Sequence, residues 1–345
     1  MKHRILIVKI GAIGDVVMSL RMLSAIRATI SDAHVTWIVG KAAVPIVKMV
    51  HGIDVVHEID ERRLFRAPFI ARCYEVFRVW WKISFRKFDL VVIAHGHRYY
   101  RILTLFVLCK NKRGFCWKRR SGPLNGRYAA DEYARLITGV DGPECPVLEF
   151  PRITIPKELS LEVVKRIKGS IIVAPGGAKN ILREDAMRRW PLENYINLVN
   201  QLVTNGETVV VVGGTADIEI KKKFDEIKSI NLIGKTSLDE LIEVISLAGV
   251  IVTHDSLVMH LAVVCGQKLV ALFGPTSPFE RIPKQSMLTN LRNPTTVIWG
   301  GPLLPCRPCY DGVTFHHCSH NVCLSGISVD RVYKEVMSKK RYEHE

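Results

Sequence analysis

The chain has 345 residues, of which 48% are hydrophobic and 24% charged, and this composition excludes an intrinsically disordered protein. Lysine and arginine number 49 against 33 acidic residues, which leaves a formal net charge of +16. Such an excess predicts an anionic partner, such as a nucleotide, a phosphorylated glycan, an anionic lipid or a nucleic acid. The length is sufficient for two domains with cores of their own.

No stretch reaches the roughly 20 uninterrupted apolar residues of a transmembrane helix, so we expect none. The first residues run directly into a strand pattern without a signal peptide. We therefore expect a cytoplasmic protein whose nine cysteines are mostly reduced.

The first predicted strand covers residues 4–10 and is followed by a turn with two glycines, Gly11 and Gly14. A helix is predicted over 16–30, and Asp15 lies at its start. Asp15 is either a helix cap or a carboxylate base presented at the carboxyl edge of the sheet. The third glycine of a dinucleotide fingerprint is absent, which disfavours NAD.

Further strands in this half are predicted at 35–39, 55–59 and 89–93, with helices at 42–49, 101–109 and 131–140. Residues 61–88 interleave eight arginines and lysines with phenylalanines and tryptophans. One hypothesis is an amphipathic stretch that lies on an anionic membrane surface. The other is a surface helix whose aromatic side chains pack inward and whose cations are merely solvated.

The predicted strand at 89–93 leads into His95-Gly-His97-Arg98, and a dense basic loop follows at 110–120. Both features are suited to an anionic substrate group. Two histidines alone do not indicate a metal site. Prolines 146, 151 and 156 then indicate a linker, with a domain boundary near Lys157.

The second half alternates strands and helices again. Strands are predicted at 170–174, 208–212, 250–253 and 269–273, and each ends in a loop of glycine, serine, threonine or basic residues. In the stretch 250–266, a buried parallel strand leads through Asp255 and Ser256 into a helix N-terminus. Loops that converge at one edge of a parallel sheet favour a nucleotide site, whereas an ordinary strand–helix–strand unit is the alternative.

The tail contains Cys306-Arg-Pro-Cys309, Cys318 and Cys323. Cys-x-x-Cys spacing holds two thiolates on one turn, as a tetrahedral ion requires. A structural metal is favoured over a redox pair or unbound thiols. Zinc and iron both fit such a ligand set.

Several motifs taken together resemble those of glycosyltransferase family 9, the ADP-heptose:lipopolysaccharide heptosyltransferases and their relatives. The resemblance covers most of the chain. Its motifs are Ile7-Val-Lys-Ile-Gly-Ala-Ile-Gly-Asp-Val16, Arg189-Trp-Pro191, Asn231-Leu-Ile-Gly-Lys-Thr-Ser-Leu238, Asp255-Ser-Leu-Val-Met-His-Leu-Ala262 and Val270-Ala-Leu-Phe-Gly-Pro-Thr-Ser-Pro278. The resemblance implies the α/β GT-B fold, in which two Rossmann-like domains face each other across a cleft.

The resemblance also implies roles for single residues. Asp15 matches the general base that deprotonates the acceptor hydroxyl, with inversion at the donor sugar. Asp217 or Glu219 would contact the ribose, and no cofactor is required for catalysis. Leu257 stands where the family commonly has glycine, and we expect it to narrow the pocket, to shift the diphosphate or to indicate a different donor. The implied donor-binding residues are Gly14, Lys179, Arg189, Glu219, Thr236, Asp255, Ser256, Leu257 and His260.

We expect acceptor recognition in the basic N-terminal loops, at His97, Arg98, Arg119 and Arg120. The cysteine tail resembles that of family members in which a comparable cluster binds metal. The expected domains are 1–157 for the acceptor and 158–345 for the nucleotide sugar, the latter with the cysteine segment 306–323. The expected location is the cytoplasm, at the periphery of the inner face of the cytoplasmic membrane.

The expected function is therefore inverting transfer of a heptose, or a related sugar, from an ADP-sugar to a lipopolysaccharide core or similar glycan. One alternative is another enzyme on the same scaffold, with a different nucleotide-sugar donor or a protein acceptor. A second is a protein that binds an anionic ligand without turnover. Nucleic acid is disfavoured as a partner, because the cations are spread along the chain rather than set in one reader motif.

Overall fold

A computed structural model describes residues 2–115, 126–139, 149–155, 158–179, 184–287, 295–310, 314–315, 318 and 320–341. The chain divides into two compact units, Met1–Thr154 and Ile155–Glu345. Lys157, the predicted domain boundary, lies outside the described residues. Among the described residues, no helix is both long and apolar enough to cross a membrane.

The first unit is built on a five-stranded parallel sheet in the order β3-β2-β1-β4-β5. The central strand β1 is an uninterrupted apolar run whose side chains from Ile5 to Val8 are fully buried, as expected for a parallel strand covered on both faces. The strands are β1 His3–Val8, β2 Ala33–Gly40, β3 Val55–Ile59, β4 Lys87–Ile93 and β5 Leu108–Gly114.

Six helices accompany this sheet. They are α1 Ile13–Ser19, α2 Arg21–Thr29, α3 Val44–Lys48, α4 Glu61–Arg66, α5 Phe69–Ile83 and α6 Ala129–Thr138. The predicted helix 16–30 is in fact two helices that meet at Leu20. Because α1 already begins at Ile13, Asp15 lies in its first turn.

The helix predicted at 101–109 is wrong. Residues Arg98–Thr104 form a 3-10 helix, and β5 begins at Leu108. Much of the predicted basic loop 110–120 is therefore a strand, in which Leu90 on β4 faces Asn111 on β5. The polar sequence of β5 has no strand-like alternation, and its pairing with β4 at the sheet edge decides its structure.

The second unit carries a six-stranded parallel sheet in the order β11-β10-β9-β6-β7-β8. Numbered from the first strand of each unit, the two sheets have the orders 3-2-1-4-5 and 3-2-1-4-5-6, which is the Rossmann-like arrangement. The strands are β6 Ile171–Ala174, β7 Val209–Val211, β8 Ile230–Asn231, β9 Val250–His254, β10 Leu269–Phe273 and β11 Thr295–Trp299.

Eight helices belong to this unit: α7 Leu161–Ile167, α8 Leu192–Thr204, α9 Ile218–Asp225, α10 Leu238–Ser246, α11 Leu257–Val264, α12 Lys284–Met287, α13 Val322–Ser325 and α14 Val329–Arg341. Ser237 begins α10 with a reciprocal capping box in which Glu240 is the partner. The core beneath α8 and α14 contains Trp190 and Tyr195, whose rings meet edge to face at 4.9 Å. Parallel pairing brings the carboxyl ends of β6, β7, β9 and β10 to one edge, as the sequence predicted.

Candidate active site

Asp15 is paired with a buried lysine that the sequence did not single out. Lys9, just beyond β1, is 2% exposed, and its Nζ lies 3.4 Å from Asp15 Oδ2. Burial lowers the pKa of Lys9, and the Asp15 carboxylate opposes that effect. The Asp15 side chain remains 39% exposed, so its carboxylate is both held by a cation and open to a ligand.

Glu61 is a second carboxylate at this edge and was also missed. Its carboxyl occupies the space in which a Cβ on Gly11 or Gly40 would lie, so both glycines make room for it. It accepts a hydrogen bond from the Ala42 N–H. Burial raises the pKa of Glu61 to about 7, with Asp60 adding to the effect and Lys9 opposing it. Glu61, like Asp15, comes shortly after a strand, and this position in the sequence could have marked it as a candidate site residue.

His95 lies behind these groups as a neutral imidazole. Its Nε2 accepts a hydrogen bond of 2.9 Å from the Ile10 N–H, and its ring stacks on Tyr100 at 3.6 Å. Burial and the nearby Lys9 hold the pKa of His95 well below its ordinary value. His95 therefore offers a neutral ring rather than a cation, and anion binding by the His95–Arg98 cluster stays a prediction.

Of the four predicted acceptor-binding residues, the structure describes the side chain of His97 alone. His97 is exposed, and its Nδ1 accepts a hydrogen bond from the Tyr99 N–H at the start of the 3-10 helix. The Arg98 side chain, Arg119 and Arg120 lie outside what the structure describes.

A pocket of about 500 Å³ opens in the same unit, at the ends of β4 and β5 beside the last turn of α6. Four cations line it: Arg101, Lys112, Arg113 and Arg135. Arg113 donates to the Ile137 carbonyl at the end of α6, and Arg135 pairs with Glu132 at 2.9 Å. Arg101 and Lys112 are exposed, so positive charge remains available at this pocket.

In the second unit, β9 delivers its polar residues to the start of α11. Ser256 is the N-cap residue, but its hydroxyl lies 3.0 Å from the Thr253 hydroxyl and makes no capping bond. The first N–H groups of α11 therefore lack a side-chain cap from Ser256, and such groups favour an anion. Leu257 occupies the first helical position without a positive φ, so leucine causes no backbone strain there.

Asp255 is the centre of a buried ionic network. It is 1% exposed, and its Oδ2 lies 3.3 Å from Arg188 Nη1 and 3.8 Å from Arg281 Nε. His260 Nε2 lies 3.8 Å from Oδ1. Burial acts to raise the pKa of Asp255, but the charges of Arg188, Arg281 and His260 keep it below its ordinary value. Asp255 thus serves as the counter-ion of two arginines, neither of which the sequence singled out.

Some buried polar atoms at the centre of this network have no hydrogen-bond partner in the described residues. Asp255 Oδ1 and Arg188 Nε are buried and have no such partner in the described part of the chain. Buried polar atoms are seldom left unsatisfied in proteins. Their position beside the α11 N-terminus is suited to a polar ligand.

Arg189 and Lys179 are joined through one carboxylate. Arg189 donates twice to the Gly177 carbonyl, at 2.7 and 2.9 Å, and its Nη1 lies 2.8 Å from Glu184. Lys179 Nζ lies 3.2 Å from the same carboxylate. Hydrogen bonds from both cations lower the pKa of Glu184. The two predicted cations therefore lie together at the end of β6.

Asp217 and Glu219, the two predicted ribose contacts, differ in burial. Asp217 accepts hydrogen bonds from the Gly177 and Gly214 N–H groups, both at 2.9 Å, and so ties the loops after β6 and β7 together. Glu219 is exposed in the first turn of α9, and Thr236 is half-buried just before the α10 cap. Gly14 lies in the first unit, within α1.

The cysteine tail does not form a complete ligand set in the described residues, which contain no group of three or more side chains able to hold a metal ion. Cys306 and Cys318 are exposed, Cys323 is half-buried and Cys309 is buried, all as free thiols. Burial raises the pKa of Cys323, and Cys309 and Cys318 add to this effect.

At the level of sequence, part of this chain is similar to known heptosyltransferases. Residues 156–297 match the family model described as glycosyltransferase family 9 (heptosyltransferase). This segment is similar to glycosyltransferase family 9. A lipooligosaccharide heptosyltransferase 2 of Haemophilus influenzae is 34% identical over 112 residues, which cover 30% of this chain and 32% of that protein. The chain thus spans about a third or less of the length of the first curated relatives that it matches.

Solved structures of family 9 proteins match over nearly the whole chain. One from Veillonella parvula has a TM-score of 0.76 and 19% identity, with 99% of this chain and 98% of that chain covered. E. coli heptosyltransferase WaaC with ADP has a TM-score of 0.73 and 16% identity, with 97% and 99% covered. At such identities the likeness concerns the fold. The two Rossmann-like units are those of the GT-B fold, which confirms the prediction.

Proposed function

We propose that this chain is an inverting glycosyltransferase that moves a heptose, or a related sugar, from an ADP-sugar to a phosphorylated glycan or glycolipid such as a lipopolysaccharide core. The arginine pair around Asp255, next to the α11 N-terminus, is the observation that carries the proposal. Cations and free N–H groups at one sheet edge stabilise a departing diphosphate without a metal ion. The ADP bound by the similarly folded E. coli protein supports this choice of nucleotide.

In the proposed reaction, Asp15 takes the proton of the acceptor hydroxyl while that oxygen bonds to the anomeric carbon. The bond from the anomeric carbon to the diphosphate breaks, and the electron pair leaves with ADP. An ordinary carboxylate is a weak base, so the proton moves late, as positive charge builds on the anomeric carbon. Lys9 Nζ, 3.4 Å from Asp15 Oδ2, holds the carboxylate in position.

Donor residues divide into two groups under this proposal. Arg188 and Arg281, fixed by Asp255, and the N–H groups after Ser256 bind the diphosphate. Arg189 and Lys179 give further positive charge at the end of β6, while Glu219 and Thr236 are proposed to contact the nucleoside. Leu257 narrows the pocket without straining the helix.

Acceptor recognition is proposed for the basic pocket of the first unit. Arg101 and Lys112 are its exposed cations, and His95 lines both this pocket and the Asp15 surroundings. The expected contributions of His97, Arg98, Arg119 and Arg120 stay predictions. A lipid-anchored acceptor places the enzyme in the cytoplasm, at the periphery of the inner face of the membrane.

The test supplies ADP-heptose, UDP-sugars and GDP-sugars separately, with and without a phosphorylated core acceptor. Released nucleotide and acceptor mass are both measured. We expect ADP release only when ADP-heptose and acceptor are present together, with a gain of one heptosyl group on the acceptor. Release of UDP or GDP would assign another donor, and nucleotide binding without release would identify a binding protein.

We also propose a structural zinc or iron ion at Cys306, Cys309, Cys318 and Cys323. The Cys-x-x-Cys spacing of Cys306 and Cys309, with two further cysteines in the same segment, supports it. The metal content of the purified protein should fall in Cys306→Ser and stay constant in Cys73→Ser, which changes an exposed cysteine on α5. Equal metal content in both variants, or none in the wild type, would contradict this site.

A further inference from the structure

Helix α5 has one face in the core and one face without a described partner. Glu75, Val79 and Ile83 are buried, whereas Ile70 is 82% exposed and Trp81 is 81% exposed. Ile70, Tyr74, Phe77 and Trp81 recur at the three- and four-residue spacing of a helical stripe. The hypothesis that these aromatic side chains pack inward is therefore wrong for this face.

The stripe continues onto the neighbouring segment 102–108. The Phe85 N–H donates to the Phe106 carbonyl at 3.0 Å, and the Trp80 indole donates to the Ile102 carbonyl at 2.8 Å. This contact adds further exposed apolar side chains beside the helix. We call the combined set the apolar surface: Phe69, Ile70, Tyr74, Phe77, Trp81, Phe85, Leu105, Phe106 and Leu108, each at least 44% exposed.

The two segments that carry the apolar surface are rich in cations. Residues 62–88 contain eight arginines and lysines and a single acid, Glu75. Glu75 is buried and is already paired with Arg78 at 2.9 Å. Residues 98–114 contain five cations and no acid. Exposed aromatic and aliphatic groups are thus bordered by cations, with no exposed carboxylate in either segment.

We propose that the apolar surface docks onto an anionic lipid bilayer. Apolar side chains that enter the headgroup region and cations that meet anionic headgroups together favour this partner. A second copy of the chain is a poorer occupant, since symmetric pairing would bring two cationic borders together. This proposal rests on the proposed function in one respect, the choice of leaflet. The apolar surface is expected to bind the leaflet that presents the glycolipid acceptor.

Vesicle co-sedimentation tests the proposal directly. The full-length protein is mixed with vesicles of phosphatidylcholine alone or with added phosphatidylglycerol. We expect binding only to the anionic vesicles, a shift of tryptophan emission to shorter wavelength, and weaker binding at high salt. Equal binding to neutral vesicles, or no binding to anionic ones, would overturn the proposal.

Matched variants localise the binding. The double variant Ile70→Ser with Trp81→Ser should weaken anionic-vesicle affinity about tenfold or more. The control Leu303→Ser with Leu161→Ser changes side chains that are 94% and 70% exposed in the other unit, and its affinity should equal that of the wild type. Equal losses in both variants would overturn the assignment to this surface.

Two further measurements separate the remaining outcomes. The first is the oligomeric state without vesicles. If the wild type is a dimer and the Ile70/Trp81 double variant is a monomer with wild-type vesicle affinity, the surface pairs two copies of the chain. The bilayer proposal then fails. Transfer to a soluble, deacylated acceptor should be the same in the wild type and the double variant. Absence of transfer in both would contradict the proposed function while leaving the vesicle result intact.

Discussion

Asp15 and Asp255 are the same residue type at corresponding places in two similar units, yet their surroundings differ. Each lies beyond a buried parallel strand, at or near a helix N-terminus. Asp15 lies beside Lys9 and is 39% exposed, whereas Asp255 is 1% exposed and is paired with Arg188 and Arg281. An accessible carboxylate is able to accept a proton, while a carboxylate buried among cations acts as a fixed counter-ion. Burial, rather than residue type, separates the two roles.

The largest expected effect is on turnover in Asp15→Asn. Loss of a general base typically costs about 10²–10⁴ in rate, and donor affinity should change little because the residues proposed to bind the diphosphate are in the other unit. Single-turnover transfer and ADP titration measure the two quantities. Asp32→Asn is the control, since Asp32 is an exposed aspartate on the same unit. Unchanged turnover in Asp15→Asn would remove the proposed base and with it the contrast to Asp255.

Asp255→Asn should instead act on stability. Removing the carboxylate takes a buried counter-ion away from Arg188 and Arg281, and losing one partner of a buried ion pair costs about 3–5 kcal/mol. Arg188 keeps its pair with Asp185 at 2.9 Å. Denaturant unfolding checks this value, with the exposed Asp330→Asn as the control. A normal unfolding free energy with reduced turnover would reverse the roles assigned to the two aspartates.

Glu61→Gln should change how stability depends on pH. The folded-state pKa of Glu61 is raised to about 7 from 4.5, so its stabilising contribution is complete below pH 4.5 and is lost as pH rises through 7. The difference corresponds to about 3 kcal/mol. The variant should therefore gain stability relative to the wild type between pH 5 and 8.

Denaturant unfolding across that pH range measures the Glu61 effect. Glu58→Gln, an exposed glutamate on β3, should follow the wild-type curve. If the unfolding free energies of the wild type and Glu61→Gln change with pH in parallel, the prediction fails. The Glu61 carboxyl would then have the same pKa in the folded and unfolded states.

The smallest expected effect is that of Arg189→Ala on donor affinity. Arg189 already shares its hydrogen bonds between Gly177 and Glu184, so we expect about tenfold weaker ADP binding and a weaker salt dependence. Thermal shift at graded ADP concentrations measures this, with the exposed Arg331→Ala as the control. If only the Asp255 network binds the diphosphate, Arg189→Ala will bind ADP like the wild type.

Most of the fold was predictable from the sequence. Apolar runs at β1, β9 and β10, with turns of glycine, aspartate or serine after them, identified strands at nearly their observed positions. The failures occurred where the chain's own pattern is weak. Segment 98–114 was predicted as helix and loop because β5 is polar and becomes a strand only through pairing with β4. The helix break at Leu20 likewise has no glycine or proline to indicate it.

The candidate site was predictable in part. Family motifs led to Asp15, Asp255 and Ser256, but neither Lys9 nor the Arg188–Arg281 pair stands out in the sequence. Arg188 precedes the motif arginine Arg189 by one residue, and only folding shows that Arg188 faces Asp255 whereas Arg189 faces Gly177. Adjacent side chains on a turn point in different directions, and a linear motif does not contain that information.

The sequence by itself determined the two alternating strand–helix units, the strand ends that carry polar residues and the excess of positive charge, because these depend on local periodicity and composition. Tertiary structure decided which charges are buried, which are paired and which face solvent. It joined Asp255 to arginines 67 residues before it and 26 residues after it, and left the aromatic stripe of α5 exposed. Burial sets the cost of a charge and the fate of an apolar side chain, and burial exists only once distant segments have packed together.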